Sequence, residues 1–371
     1  MKRHTVTAII IAVVITLSFT GKLFSREGVS SAGKIASYWE VVKEKTVQCS
    51  LCPRRCVITE GQRGYCQSRE NIGGSLYSLG YGFPVSARPD WIEKKPFFHV
   101  LPGSMTFSVA VAGCNMRCTF CQNWQISQSK PDEAKGYEMS PEDIIKAAKD
   151  TGCKTITYTY TEPTVFYEYM LDISKLAKKE GLLTSMHTCG YINREPLVEL
   201  LDYMDFVNVD LKGFSDDFYG KVGSMAKLQP VLDTIKTVKE KGVWLEITSL
   251  IIPTLNDDPQ EIRSMCQWIK DNVGDDVPLH FSRFYPQYKL RNLSPTPAKT
   301  LLNAYKIAKA AGLKYVYIGN IPGNPQENTY CPKCGKVVVK REGYTVLEVN
   351  IEDNKCKFCG FKIAGVWSLK K

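Results

Sequence analysis

The sequence predicts an α/β protein. Its body is a partial TIM-like (β/α)6 barrel over residues 105–320, with a small cysteine-rich unit before it and a cysteine-bearing tail after it. Three observations carry this expectation. A helical pattern, a glycine and a β-branched or aromatic run recur as one unit along the middle of the chain. Polar residues gather just past the ends of those runs, at Cys114, Glu162, Thr188, Asp210, Asn256 and Arg283. Cysteines cluster at the start of the repeating region and on both sides of it. Strands alternating with helices imply a parallel sheet with right-handed crossovers. In a barrel the strand ends converge on one face, whereas an open doubly wound sheet works mainly at its switch point. Polar residues at so many strand ends favour the barrel.

The elements follow in order. "TFSVAVAG" (106–113) is the first strand. "SPEDII" opens a helix, with Ser140 as N-cap, Pro141 at N1 and acids behind them. "IIKAAKDTGCKTITYTY", "ISKLAKKEGLLTSMHT", "IKTVKEKGVWLEITSLII" and "YKIAKAAGLKYVYIGN" each run from helix through glycine into strand. Gly152, Gly181, Gly242 and Gly312 stand where a helix end needs a left-handed residue, and lysines crowd the last turns. "FVNVDL" (206–211) and "PLHFSRF" (278–284) are weaker strands that fill the gaps, giving six or seven βα units.

The flanks differ in character. Residues 46–104 read as a small cysteine-bearing unit, with short strands and turns around Gly73 and Gly74. Residues 25–45 read as a polar linker, and residues 321–371 as a separate tail. Residues 1–24 have a basic start, Lys2 and Arg3, then an uncharged run of 17 residues from Thr5 to Gly21. That is the shape of a signal or anchor, at the short limit of a spanning helix. No A-x-A cleavage site follows, so an uncleaved membrane anchor is the leading expectation. A cleaved signal and a mis-assigned start are the alternatives.

Apolar residues make up 44% and charged residues 23% of the 371, which suits a globular protein with a sizeable core. The formal charge of +10 ignores thiolates, which metal binding would add as negative charge. No Lys/Arg block with interleaved aromatics occurs, so nucleic acid is not an expected partner. Of 14 cysteines, eleven fall into three clusters, each containing C-x2-C. That spacing favours metal over disulfides, and a reducing compartment. Reducing chemistry and the apolar start together predict one N-terminal anchor, with the remainder on the cytoplasmic face of the membrane.

The middle cluster, "GCNMRCTFCQNW", places Cys114, Cys118 and Cys121 directly after the first strand. A structural zinc site wants four ligands, and the other clusters already hold four cysteines each. Three thiolates on a 4Fe-4S cluster would leave one iron open to a small molecule. Phe120 is placed to shield such a cluster. Zinc with a distant fourth ligand is the alternative.

C-x3-C-x2-C after the first strand of a βα array resembles the signature of radical S-adenosylmethionine (SAM) enzymes. "CNMRCTFCQNW" is similar to the loop of the pyruvate formate-lyase activating enzyme group. "CSLCPRRCVITEGQRGYC", "IEKKPFFHVLPGS", "YTYTEPTVFYEY", "NVDLKGF", "IIPTLND", "HFSRFYP" and "NTYCPKCG" together resemble the radical SAM member of the AmmeMemoRadiSam system, over residues 47–367. The resemblance implies a 4Fe-4S cluster, SAM chelated to its open iron, and reductive cleavage to methionine and a 5′-deoxyadenosyl radical that abstracts hydrogen. It implies a low-potential electron donor, a protein substrate of glycyl-radical-activase type, and Memo-like and AMMECR-like companions.

Site residues carry over singly. Thr161 and Glu162 of "TEP" occupy the place of the group's Gly-Gly-Glu-Pro and are expected at SAM's ammonium. Thr188 of "HTCGY" is expected at SAM, with Cys189 replacing the usual Asn. Asp210 and Lys212 of "DLK" are expected at the ribose and carboxylate. His280 and Arg283 fall on the adenine or substrate side by position. Ordinary readings compete: Glu162 as a helix N-terminal acid, and Asp210 with Lys212 as a strand-end ion pair. Cys153 and Cys266 read as core thiols.

Cys331, Cys334, Cys356 and Cys359 form two C-x2-C knuckles with following glycines, the pattern of a zinc ribbon. Rubredoxin-like iron is the rival. Cys49, Cys52, Cys56 and Cys66 are less regular, and zinc and an auxiliary iron–sulfur cluster both fit them. Modification of a small molecule or nucleotide is a second enzymatic reading. A non-enzymatic metal scaffold or electron carrier is the third, and it has no use for polar strand ends.

Overall fold

The computed structural model describes residues 33–223, 225–321 and 323–369. The cysteine-rich N-terminal unit is made of short antiparallel strands. β1 (Lys34–Ile35), β2 (Trp39–Lys43), β3 (Thr46–Cys49), β4 (Val57–Ile58), β5 (Arg69–Ile72) and β6 (Ser75–Ser78) form two sheets, ordered β2-β3-β4 and β1-β6-β5. The hairpin β5–β6 turns at Gly73 and Gly74, with φ of 63° and 88°. Only a residue without Cβ takes two such angles without strain. Lys34–Ile35 and Trp39–Lys43, within the expected linker 25–45, are strands of this unit.

The body is one eight-stranded sheet. β7 (Ser86–Trp91) is its antiparallel edge, paired along its whole length with β8 (Met105–Ala110). Then follow β9 (Thr155–Tyr158), β10 (Leu183–Thr188), β11 (Phe206–Asp210), β12 (Trp244–Ile251), β13 (Leu279–Arg283) and β14 (Val316–Gly319). Strands β8 to β14 are parallel and lie side by side in chain order. That sequential order is singly wound, with no switch point. Helices α1 (Trp124–Ser127), α2 (Pro141–Asp150), α3 (Tyr167–Lys179), α4 (Arg194–Leu201), α5 (Asp216–Val222), α6 (Gln229–Glu240), α7 (Pro259–Val273) and α8 (Ala298–Ala310) fill the crossovers. The expected caps form. Ser140 and Asp143 close a capping box on α2, and Gly152, Gly181, Gly242 and Gly312 all take positive φ behind their helices.

Alternation along each strand sorts residues between the two faces. Ile156 and Tyr158 join the main apolar core with Ile144, Ile145, Met170 and Ile173 from α2 and α3. The opposite face is polar and hydrogen-bonded. Thr106 meets Thr157 at 2.6 Å, Thr157 meets Ser185 at 2.7 Å, and Thr248 donates to Asn208 at 2.9 Å. Asn208 in turn donates to the Pro96 carbonyl at 2.8 Å, so the segment after β7 closes one end of this interior.

The tail carries β15 (Thr329–Tyr330), β16 (Val337–Glu342), β17 (Thr345–Val349), β18 (Ile351–Glu352) and β19 (Lys355–Cys356). It packs on Phe98, Tyr315 and Tyr317 of the body. Arg341 pins it, fully buried between Glu93 at 3.7 Å and the Phe98 carbonyl at 2.6 Å.

The expectation of a transmembrane protein on the cytoplasmic face of the membrane is corrected. Among the described residues no helix is long and apolar enough to cross a membrane. The longest helix among the described residues, α7, has 15 residues, about 22 Å at 1.5 Å per residue against a hydrocarbon core of about 30 Å. Residues 1–24, on which the anchor was expected, lie outside the described residues.

Candidate active site

Leaving β8, the chain turns at once into the three-cysteine loop. Gly113 has φ of 105°, and a Cβ there would stand 2.0 Å from Ser68 Oγ and 2.7 Å from the Cys66 carbonyl. Only glycine lets the loop press so closely on the N-terminal unit. The loop is tied down by Thr119 N–H to Val222 O at 3.1 Å and Lys289 N–H to Thr119 O at 2.9 Å. The Met116 N–H points at Cys114 Sγ at 3.4 Å, and Ser127 Oγ lies 3.2 Å from Cys121 Sγ. Burial pushes the Cys118 thiol up to about 12 and raises Cys121 as well. Cys114 is lowered by the Cys189 side chain beside it, against the effect of burial. Among the described residues, only the tail cysteines bring three or more ligand atoms within 4.8 Å of one another. Cys114, Cys118 and Cys121 are thus set too wide to close on a single ion. Thiolates on separate corners of a cluster stand further apart than thiolates on one metal, so this donor set fits a cluster.

Past β9, Glu162 is buried at 1% exposure and fully engaged. Its Oε1 accepts from Thr164 N at 3.1 Å, Thr164 Oγ1 at 2.7 Å and Thr188 Oγ1 at 2.6 Å. Its Oε2 accepts from Cys189 N at 2.8 Å and Cys189 Sγ at 2.5 Å. Thr161 spends its hydroxyl on the Val111 carbonyl at 2.7 Å, which ties β9's end to the cysteine loop.

Past β10 and β11 stand three linked polar side chains. Asp210 receives His187 Nε2 at 2.9 Å on one oxygen and Lys212 Nζ at 2.6 Å on the other. Burial would raise Asp210, but Lys212 and His187 hold it well below the usual carboxylate range. Burial would lower Lys212, but Asp210, and after it the thiols of Cys118 and Cys189, raise it well above its ordinary value. Lys212 is therefore a fixed positive charge beside the cysteine loop.

These groups face one open cleft of about 380 Å³. Every parallel strand feeds it. Cys114 follows β8, Glu162 follows β9, His187 lies next to the end of β10, Asp210 ends β11, Thr248 lies in β12, His280 in β13 and Gly319 in β14. Of the expected site residues, Cys114, Cys118, Cys121, Thr161, Glu162, Asp210 and Lys212 line it. Thr188 does not; its hydroxyl goes to Glu162 and to the Gly190 N–H. Arg283 does not either, and donates to the Thr296 carbonyl at 2.8 Å. Asn256 bridges loops, donating to the Lys212 and Leu250 carbonyls.

Several lining residues were not expected. His187 is adjacent to Thr188 in "HTCGY", and its outward place in β10 was the available signal. Tyr160, at φ of 67°, donates to Asp90 at 2.6 Å and accepts from the buried Lys95 at 2.6 Å. Burial brings Lys95 down to about 8 against Asp90. Tyr344 reaches the cleft from the β16–β17 hairpin, so the tail forms part of its wall. His280, expected on the adenine or substrate side, does line the cleft; it meets Glu246 at 2.6 Å, and Glu246 also accepts the Phe98 and His99 N–H groups.

The tail cysteines form a compact set. Cys331 and Cys359 sulfurs are 3.6 Å apart, and Cys334 and Cys356 sulfurs 3.8 Å. Sulfurs on one tetrahedral zinc, at Zn–S of about 2.3 Å, lie about 3.8 Å apart. The four can hold one metal ion. Cys49, Cys52, Cys56 and Cys66 instead line a separate cavity in the N-terminal unit.

The model of the radical SAM superfamily matches residues 109–268, the stretch holding the cysteine loop, Glu162 and the Asp210 set. An uncharacterized protein of Methanocaldococcus jannaschii is 48% identical over 330 residues, covering 88% of this chain and 98% of that one. The pyruvate formate-lyase-activating enzyme of Clostridium pasteurianum is 30% identical over 211 residues, covering 52% of this chain and 84% of the enzyme. The pyruvate formate-lyase 1-activating enzyme of Escherichia coli is 25% identical over 234 residues, covering 58% of this chain and 93% of the enzyme. For this superfamily the three-cysteine loop implies a 4Fe-4S cluster with SAM, and the wide-set thiols of Cys114, Cys118 and Cys121 suit it. The chain belongs to the radical SAM superfamily and is a radical SAM enzyme related to the pyruvate formate-lyase activating enzymes.

Proposed function

We propose that this protein binds a 4Fe-4S cluster on Cys114, Cys118 and Cys121 and uses SAM to begin radical chemistry on a protein partner, in the manner of a glycyl-radical activase. When bound, cluster and SAM supply reductive cleavage of the sulfonium to methionine and a 5′-deoxyadenosyl radical that abstracts hydrogen. The observation that carries the reading is one cleft onto which three wide-set thiols and the ends of seven parallel strands open. Sequential strand order and that convergence support an open barrel.

The chain's own residues divide the remaining work. Asp210 and Lys212, locked to each other and to His187, offer one acceptor and one cation at the cleft for the polar ends of SAM. Thr161 presents backbone at the β9 end. Glu162 and Thr188 support the site from behind: Glu162 sets the Thr188–Cys189 turn by accepting from both residues. Glu162 can meet SAM's ammonium by yielding the Cys189 thiol, the most weakly donating of its partners. The half-buried, low-dielectric cleft strengthens each of these contacts. In the tail we assign zinc to Cys331, Cys334, Cys356 and Cys359, as a structural site with all four positions filled by thiolate.

A protein target is favoured by the relatives, whose names say that they activate pyruvate formate-lyase. Tyr344 and Lys94 stand in the wall of the cleft. A low-potential electron donor and Memo-like and AMMECR-like companions belong to the same proposal, on the strength of the sequence motifs. The test is anaerobic reconstitution followed by reduction with SAM present. Release of 5′-deoxyadenosine by the intact chain, and its loss in C114S/C118S/C121S, is expected. Equal release by that variant would move the chemistry elsewhere.

A further inference from the structure

The N-terminal unit holds four cysteines that the chemistry above does not use. Cys49 ends β3, Cys52 and Cys56 lie in the turn that follows, and Cys66 lies just before β5. All four line one small cavity of about 20 Å³.

Their spacing separates two kinds of metal. The tail shows what a one-ion site looks like in this chain, with four sulfurs mutually within 4.8 Å. Among the described residues no three of Cys49, Cys52, Cys56 and Cys66 meet that condition. Cys114, Cys118 and Cys121 fail the same condition. A single zinc would draw its thiolates to about 3.8 Å from one another, whereas these four stand back around a cavity.

Two polar groups already point at the sulfurs. The Tyr65 N–H approaches Cys56 Sγ at 3.4 Å, and the buried Arg69 Nη1 approaches Cys49 Sγ at 3.6 Å. Hydrogen bonds to the sulfurs are a recognised means by which a protein sets the potential of an iron–sulfur cluster.

The cavity also has a telling neighbour. Asn115 lines it, while Cys114 and Met116 on either side line the catalytic cleft. The three-cysteine loop is thus the partition between the two spaces. Its Gly113 packs directly against the Cys66 carbonyl and Ser68.

We infer that Cys49, Cys52, Cys56 and Cys66 hold a second 4Fe-4S cluster, one loop's thickness behind the catalytic cleft. All four thiolates are protein-supplied, so this cluster is closed to small molecules. Its role is to pass single electrons. One electron enters from a low-potential protein donor and one leaves toward the centre on the cysteine loop, so the second cluster returns to its starting state. That role rests on the function proposed above; the cluster itself does not.

The test uses the full chain carrying C114S/C118S/C121S, which leaves the N-terminal unit untouched. After anaerobic reconstitution with iron and sulfide, this variant is expected to keep about four irons and about four sulfides per chain, as one such cluster requires. Its reduced spectrum should not respond to SAM. The converse variant, C52S/C66S, should lose the same number of irons and keep a SAM-responsive centre. Zinc in place of iron in the triple variant, or no metal beyond the tail ion, would overturn the second cluster. If the triple variant kept iron and SAM cleavage, the central assignment would fail while the second cluster stood. The electron-passing role predicts that C52S/C66S loses reduction by a flavodoxin-type donor but not by dithionite. Equal loss with both reagents, or with neither, would overturn that role.

Discussion

The Glu162 carboxylate holds Cys189 at two points, accepting its N–H at 2.8 Å and its thiol at 2.5 Å. With Thr164 and Thr188 this makes five donors on one buried acid. Removing the acid therefore does two things. Glu162→Ala leaves buried donors unmade, each costing about 1–3 kcal/mol, so its melting temperature should drop clearly. Glu162→Gln keeps one acceptor oxygen and should stay folded with full iron, yet bind SAM roughly ten- to a hundredfold more weakly, the worth of one charged hydrogen bond at about 1.5–3 kcal/mol. Equilibrium SAM binding and a thermal melt on both variants separate the two effects. Unchanged SAM binding in Glu162→Gln would assign the acid a purely structural part.

Asp210 links the next two strands to the cysteine loop. Its carboxyl is held well below the usual range by Lys212 and His187 against burial. A depressed acid contributes stability that is present above its unfolded value of about 3.9 and is lost as pH falls through the folded value. Between pH 5 and 8, then, Asp210 should add no pH dependence to SAM binding. Asp210→Asn should weaken SAM binding across that whole window while iron content holds, because it frees Lys212 and His187 without touching a thiol. A titration of SAM affinity at several pH values checks this. A SAM affinity that changes with pH in the wild type but not in the variant would contradict it.

The tail should behave as a separate metal unit. Cys334 is the exposed member of the four, and the Lys336 N–H brings its thiol down to about 7. Cys334→Ser should release one zinc per chain and lower stability, since a structural zinc contributes folding free energy directly. Iron on the cysteine loop should be unchanged. Because Tyr344 brings the tail to the cleft wall, the variant should also lose part of its affinity for a protein substrate. Metal analysis before and after air exposure distinguishes the ion from iron, which air would oxidise.

What was legible in the sequence was local. The helix–glycine–strand unit announced β9, β10, β12 and β14, because a left-handed glycine and a period change are properties of neighbouring residues. β7 was not legible: "SARPDW" carries a proline and charges, which suit an edge strand and look like loop. β1 and β2 were hidden because they are short and exposed, with Val41 and Val42 of β2 on the surface. Glu246 sat inside a strand pattern, but its partners at His99 and His280 are 147 and 34 residues away. Nothing near it in sequence marks it as buried and bonded. The wide spacing of Cys49, Cys52, Cys56 and Cys66 was likewise invisible, since C-x2-C serves one ion and a cluster alike.

A pH-dependent hold on the tail is the last expectation. His99 is fully buried between the body and the tail. Its Nδ1 lies 2.6 Å from the Ala364 carbonyl, which can only accept, so Nδ1 carries the proton. Its Nε2, 2.6 Å from the Tyr317 hydroxyl, is then the acceptor in neutral imidazole. Burial brings His99 down to about 4, with Glu246 opposing and Arg341 and His280 adding to the fall. The unfolded chain, at about 6.5, therefore holds more protons than the folded one between those values. Stability must fall as pH drops through that window, by up to about 3 kcal/mol at its lower end. Protonation also removes the acceptor that Tyr317 uses, so the loss should be felt first at the body–tail contact. Thermal melts of the zinc-loaded protein from pH 7 to pH 5 should show the decline. His99→Gln, which can still donate to Ala364, should lower stability at pH 7 and flatten the slope. Metal content measured alongside guards against simple zinc release. An equally steep decline in His99→Gln at constant zinc would assign the pH dependence to another group.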